Sequence, residues 1–253
     1  KIVATVGPAS WDVTILKQLI LSGVNVFRVN AAHNSIEDRW RIVESIREAI
    51  ASTGRHVAIL QDLAGVKPRT GPLENGETIH LERDSMVTLV PGDAYLTPDV
   101  ITVDEAEVVE QLRPGQRVLM SDGLLELVVH EATGDSATCQ VVRGGHLRGR
   151  QGVTVPGALV DQRLLSDDEC RDIRFAAEAD LEYLGMSFVT KAADVDLVRA
   201  ELHRNGGRCK IISKIERAEA LADIDAIAQA SDALMVARGD LGVQLPPEEV
   251  PLA

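Results

Sequence analysis

The chain reads as an α/β protein on parallel strands, a (β/α)8 TIM-type barrel of which the first six strands are present, interrupted after strand 3 by a small β-barrel domain. Three observations predict it. β-Branched runs near residues 2, 24, 57, 181, 209 and 233 alternate with helical apolar stripes, and no hairpin signal joins them. Between about residues 72 and 155 that alternation gives way to short β-rich runs separated by Gly, Pro and Asp turns. Aromatic residues are only 3% of the chain, so the core is built from Leu, Val, Ile and Ala, which suits buried parallel strands.

In order, Ile2 to Val6 is a short strand stopped by Gly7-Pro8, and Trp11 to Leu21 has helical spacing closed by Gly23. Val24 to Asn30 is the next strand. Ile36 to Ala51 carries Trp40, Ile42, Val43, Ile46 and Ile50 as a helical stripe, with Glu44 and Glu48 on the wet side. Val57 to Asp62 is the third strand. The inserted domain holds strands at Thr78 to Leu81, Met86 to Val90, Arg117 to Met120, Leu124 to His130 and Ala137 to Arg143. The predicted boundaries are therefore 1–71 for the first part of the barrel, 72–155 for the inserted β-domain and 156–253 for the second part. After the insertion, Ser166 caps a helix to Ala179 with Asp167, Asp168 and Glu169 in its first turn. Leu181 to Met186 is a strand and Asp194 to Asn205 a helix. A closed barrel needs eight strands, so the six found, and the missing initiating Met, predict a fragment of a longer protein or strands supplied from elsewhere.

With 253 residues, 45% hydrophobic and 26% charged, the chain can bury a sizeable core. Its formal charge of -13 argues against non-specific binding to nucleic acid or to anionic membranes, so an anionic substrate needs a local basic pocket. No run approaches the about 20 apolar residues of a membrane span, and no leader opens the chain. Cys139, Cys170 and Cys209 are odd in number and widely spaced, which predicts reduced thiols in a cytoplasmic protein.

Chemistry concentrates between Lys210 and Leu245. Lys210 to Glu216 alternates as a strand with Lys214 and Glu216 on one face. Arg217 to Ala230 has the spacing of one helix face. Ala233 to Ala237 is a second, wholly apolar strand ending in Arg238-Gly239-Asp240. Parallel strands joined by a crossover helix carry their chemistry at the carboxyl ends, where Lys214, Glu216 and Asp240 fall. Two carboxylates and a lysine suit Mg²⁺ and an anion held against it. A structural ion pair between Lys214 and Glu216 is the alternative. The adhesion tripeptide Arg238-Gly239-Asp240 is discounted because it directly follows a buried apolar strand.

At these residues a resemblance becomes specific. IISKIE and SDALMVARGDLGVQLP look like pyruvate kinase, and the likeness runs through KIVATVGPAS, GVNVFRVNAAHN, QDLAGVKPRTG, VLMSDGLLEL, QGVTVPG and ADLEYLGMSFVTKAADV. The resemblance implies a barrel interrupted after its third strand by a mobile β-domain. It also implies glycolytic phosphoryl transfer between phosphoenolpyruvate and ADP, giving pyruvate and ATP, with Mg²⁺, or Mn²⁺ in its place, in a cytoplasmic homo-oligomer. By position, Lys214 matches the catalytic lysine, Glu216 and Asp240 the metal ligands, the Gly239 amide a neighbour of the substrate carboxylate, and Arg28 the arginine on the phosphoryl group. Asn30 and Asp62 match part of a monovalent-cation site, while Asn30, His33 and Arg69 fall near the nucleotide. For Arg28 a surface ion pair is the alternative, for His33 a plain loop histidine, and for Asp122 a turn rather than a lid contact.

Departures from the family pattern sharpen the expectations. Ala32 replaces a serine and Leu63 a threonine of the potassium site, and Lys67 stands where potassium-dependent members place a glutamate. An ammonium there supplies the charge of the ion, so K⁺ is expected not to be required. Gln151 replaces a lysine before the Gly152 to Gly157 motif, with Arg148 and Arg150 at hand to compensate. Val66 and Pro68 alter the usual order, and Asn34 replaces a glycine. Two other readings stay open: a Mg²⁺-dependent pyruvate-enolate lyase or aldolase on a related barrel, and a non-catalytic relative that binds a ligand or partner.

Overall fold

The computed structural model describes residues 1–65, 67–74, 77–157, 165–246 and 248–252, the side chain of His33 excepted. The chain divides into two compact units, Lys1–Val66 with Gln162–Ala237, and Lys67–Asp161 with Arg238–Ala253.

The first unit is α/β. Its sheet holds six parallel strands in the order β1 (Val3–Thr5), β2 (Val26–Asn30), β3 (Ala58–Asp62), β12 (Tyr183–Met186), β13 (Lys210–Ile215) and β14 (Ala233–Val236), the numbers between belonging to the other unit. Each strand is laid beside its predecessor in one direction. That winding curls a sheet towards a barrel, whereas a doubly wound sheet reverses at a switch point. Helices α1 (Val13–Leu21), α2 (Ile36–Thr53), α4 (Asp167–Glu178) and α5 (Ala192–Arg204) cover it. Leu16, Phe27, Val29, Ile42, Ile46, Leu184 and Ile211 pack into one apolar core between helices and strands.

Local chemistry sets the helix ends. Asp12 accepts a hydrogen bond from the Thr14 amide, so α1 starts at Val13 rather than at Trp11. Gly54, at φ 63°, closes α2 in the left-handed conformation that costs glycine no steric strain. Ser166 and Glu169 form a reciprocal capping box at the start of α4, with Ser166 Oγ accepting from the Glu169 amide at 3.1 Å. Replacing Ser166 with alanine is expected to cost about 1 kcal/mol of stability, measured by denaturant unfolding, and no measurable loss would dismiss the cap as a support of α4.

Two expectations change here. The single helix expected over Arg217 to Ala230 is two pieces, α6 (Ala218–Ala222) and α7 (Ile224–Ala230). Asp223 leaves helical geometry at the break and its carboxylate accepts from the Ala192 amide at the start of α5. The strand read as buried, β14, lies at the sheet edge with β13 as its partner, and Leu234 and Val236 are exposed. An apolar run reports β propensity, but burial depends on neighbours on both sides.

The second unit carries a two-stranded antiparallel sheet of β4 (Ile79–Leu81) and β10 (Gly145–Leu147). Beside it is a six-stranded sheet in the order β11 (Val153–Thr154), β7 (Arg117–Met120), β8 (Leu125–Ala132), β9 (Ala137–Arg143), β5 (Met86–Pro91) and β6 (Val100–Val103). Helix α3 (Ala106–Glu110) and the terminal α8 (Arg238–Gln244) belong to the same unit. Its own core gathers Leu89, Ile101, Val118, Met120, Leu127, Val141 and Leu147. β6, β10 and β11 escaped the sequence reading. The three cysteines are unpaired thiols, and burial pushes Cys139 up to about 12 and Cys209 up to about 11. Among the described residues no helix is long and apolar enough to cross a membrane.

Candidate active site

The carboxyl ends of the parallel strands hold a chain of charges running across the first unit. At its centre is Asp62, the last residue of β3 and only 2% exposed. From β2, Arg28 reaches it through Nε at 2.8 Å and through Nη2, while Nη1 donates to Thr5 Oγ1 on β1 at 3.0 Å. From β13, the Lys214 ammonium sits 3.2 Å from Asp62 Oδ1. Asp62 Oδ1 receives no aligned hydrogen bond, so this last contact is one of charge rather than direction.

Lys214 is 8% exposed and has two further partners. Its Nζ lies 2.7 Å from Glu216 Oε1 and donates to Ser187 Oγ at 3.0 Å, and Ser187 in turn donates to the Leu63 carbonyl at 2.7 Å. Glu216 Oε2 accepts from the Phe188 amide at 2.9 Å. The loop ends are shaped to allow this. Gly65, at φ 64°, passes so close to Phe188 that a Cβ there would lie 2.7 Å from its ring, so only glycine lets the two strand ends meet. Two cations and two carboxylates balance, which is the condition for keeping four charged groups away from bulk water. Arg28 keeps 27% of its side chain exposed, and three of its five N–H donors are engaged, leaving two without a partner among the described residues. It is the group in the cluster best placed to take an anion from solution.

The sequence-predicted residues are thus distributed over both units. Arg28, Asp62, Lys214 and Glu216 come together in the first. Asn30 caps the turn after β2 by accepting from the Ala32 amide, and the His33 side chain lies outside the described residues, as does Val66. In the second unit, Lys67 lies 2.9 Å from Asp122 Oδ1 and 3.3 Å from Asp240 Oδ1. Burial works against its ammonium, but the hydrogen bonds and charges of Asp122 and Asp240 outweigh it and hold the lysine above its ordinary pKa. Asp122 occupies a turn with Ser121 and Asp122 both at positive φ, so the turn and the contact coexist. Gly239 is in the first turn of α8, where a Cβ would meet open space. Arg69 Nη1 donates to the Arg150 carbonyl, and Arg150 itself is held bidentately by Asp93 at 2.5 and 3.0 Å rather than reaching outward. Ser187 and Thr5 were missed; a hydroxyl one residue past a parallel strand, in GMSFVT, was the available signal for Ser187.

Among the described residues no three His, Cys, Asp or Glu side chains gather as a metal cluster. Mg²⁺ does not require three, since it commonly takes one or two carboxylates and completes its shell with water and substrate oxygens. Glu216 in the first unit and Asp240 in the second each offer hard oxygens of that kind, and each carboxylate oxygen has more than one lone pair.

A sheet wound in one direction, with a charge-balanced lysine and arginine cluster at its carboxyl edge and an inserted β-rich unit, defines an α/β protein of the type that handles anions at strand ends. Comparison makes this particular: the family model described as pyruvate kinase, barrel domain, matches residues 1–253, and the chain belongs to the pyruvate kinase family. It is 38% identical over 252 residues to a pyruvate kinase of Corynebacterium efficiens, covering 100% of this chain and 53% of the relative. It is 40% identical over 256 residues to a pyruvate kinase of Geobacillus stearothermophilus, of which it covers 43%. It is also 40% identical over 263 residues to pyruvate kinase PKLR of Homo sapiens, of which it covers 46%. The chain spans about half the length of these curated relatives.

Proposed function

We propose that the intact protein transfers a phosphoryl group between phosphoenolpyruvate and ADP, giving pyruvate and ATP in glycolysis. In this reading the two α/β segments, 1–71 and 156–253, belong to a closed (β/α)8 barrel and 72–155 is its small β-barrel insertion. The observation that carries the proposal is Lys214, buried at a strand end between Asp62, Glu216 and Ser187, one carboxylate away from the partly open Arg28.

Arg28 binds the phosphoryl oxygens with its remaining N–H donors. Lys214 offsets the charge that builds on the group in flight, which is the main work a protein does in phosphoryl transfer. Ser187 and the two carboxylates hold the ammonium in place so that it need not reorganise during reaction. Glu216 and Asp240 would hold Mg²⁺, with Mn²⁺ as a substitute, and the ion would supply charge neutralisation between substrate and nucleotide phosphates. By the family resemblance, Asn30, His33 and Arg69 would serve the nucleotide and the Gly239 amide the substrate carboxylate. The test is purified intact protein with phosphoenolpyruvate, ADP and Mg²⁺, scored for pyruvate and ATP. Turnover that disappears in Lys214→Ala supports the reading; cleavage of a 2-oxo-4-hydroxy acid without nucleotide, or binding without turnover, replaces it.

Potassium is not needed in this scheme. The Lys67 ammonium, held by Asp122 and Asp240, is the resident positive charge. Adding K⁺ is expected to leave the wild-type rate nearly unchanged, whereas Lys67→Glu, which sets three carboxylates together, is expected to make the rate depend on K⁺. Strong K⁺ activation of the wild type, or none in the variant, would remove this role for Lys67.

A further inference from the structure

The second unit holds a pair of histidines that phosphoryl transfer does not use. The sequences Ile79-His80-Leu81 and Gly145-His146-Leu147 alternate, and β4 and β10 pair so that His80 stands directly opposite His146. The alternation decides which way each residue faces. Ile79, Leu81 and Leu147 are buried in the unit's core, so both imidazoles are turned outward and are exposed. Their rings lie 4.8 Å apart between centroids, tilted by 54°. Thr78 Oγ1, in the residue just before β4, lies 3.4 Å from His146 Nδ1, which leaves Nε2 of the ring to act as a ligand.

We propose that His80 and His146 chelate a first-row transition-metal ion, Zn²⁺ or Cu²⁺, bridging β4 and β10. Imidazole is the ligand these ions favour, and it is a poor one for Mg²⁺, so this chemistry is distinct from that of the carboxylates at the strand ends. Two cis imidazoles on one Zn²⁺, each bound at about 2.0–2.1 Å, need their nitrogens roughly 3.3 Å apart, a spacing that two rings already in contact reach with small rotations. The backbone beneath them is fixed. A Cβ on Gly144 would lie 2.3 Å from the Leu81 carbonyl, so the two strands are held together at closer range than any other residue would allow. Among the described residues no third His, Cys, Asp or Glu completes the cluster, so the remaining positions fall to water or an added ligand. The expected site is therefore open and exchangeable, unlike a closed four-ligand structural zinc.

Calorimetric titration of the intact protein with ZnCl₂ or CuCl₂, in excess Mg²⁺ to occupy the carboxylates, tests it. One ion per chain is expected, with His80→Phe and His146→Phe each weakening binding by at least about tenfold and His203→Asn leaving it unchanged. Phenylalanine keeps a stacking ring, so a loss of binding reports the nitrogen and not the stack. Zn²⁺ is expected to raise the unfolding temperature of the wild type and not that of either phenylalanine variant. Electron paramagnetic resonance of the Cu²⁺ form is expected to show two equivalent nitrogens, a readout that needs no variant to fold. Absence of stoichiometric binding, equal affinity in all variants, or a Cu²⁺ spectrum without the nitrogen pair would each reduce the two rings to a stacking contact and overturn the proposal.

Discussion

Replacing Asp62 with alanine is expected to lower the stability of the intact protein by about 3–5 kcal/mol, the range for removing one partner from a buried ion cluster. Asp62 touches both cations, so its loss leaves Lys214, 8% exposed, and Arg28 with a single carboxylate between them. The cluster then carries a net positive charge in a place with little water to dilute it. Asp62→Asn keeps the volume and can still accept from Arg28, so it is expected to recover part of the loss but not the charge balance. A useful comparison lies in the other unit. Glu126 is also buried, but its partners Arg117 and Arg143 are more than half exposed and can turn to solvent. Glu126→Gln is accordingly expected to cost about 1 kcal/mol or less. Denaturant unfolding of the variants side by side decides it. If Asp62→Ala behaves like Glu126→Gln, the cluster at the strand ends is not the buried, mutually dependent unit described above.

How much of this could be read from the chain depends on the range of the interaction concerned. Strand and helix periodicity is local, and it located all six parallel strands to within about two residues, an accuracy typical only of strongly patterned elements. Lys214 and Glu216 lie two apart on one strand, so their meeting was a consequence of pleat geometry alone. Asp62 was assigned by resemblance to a monovalent-cation site. That its carboxylate stands between Arg28 and Lys214 could not be seen, because it joins residues 34 and 152 positions apart through the register of four neighbouring strands. The break at Asp223 is set by one hydrogen bond to Ala192, thirty-one residues away, and no propensity scale holds that information.

The largest functional effect is expected from Lys214. Lys214→Ala should lower kcat by at least about 10²–10³-fold, the range for removing one preorganised group that faces developing charge, with a smaller change in KM. The split between the two constants is the informative part. In the proposed reaction Arg28, which retains open N–H donors, would meet the substrate before the reaction as well as during it, so Arg28→Met is expected to raise KM along with any fall in kcat. Lys214 is screened by Asp62, Glu216 and Ser187 in the resting arrangement, and it gains most when extra negative charge appears beside it. Lys214→Arg is expected not to restore turnover. A planar guanidinium cannot occupy a point between three oxygens at 2.7–3.2 Å without displacing one of them. Because loss of the lysine also leaves two buried carboxylates with one cation, the unfolding transition of each variant has to be measured alongside its kinetics. A variant that stays folded at the assay temperature yet turns over at the wild-type rate would show that charge stabilisation comes from another group, and the assignment of Lys214 to the chemistry would have to be withdrawn.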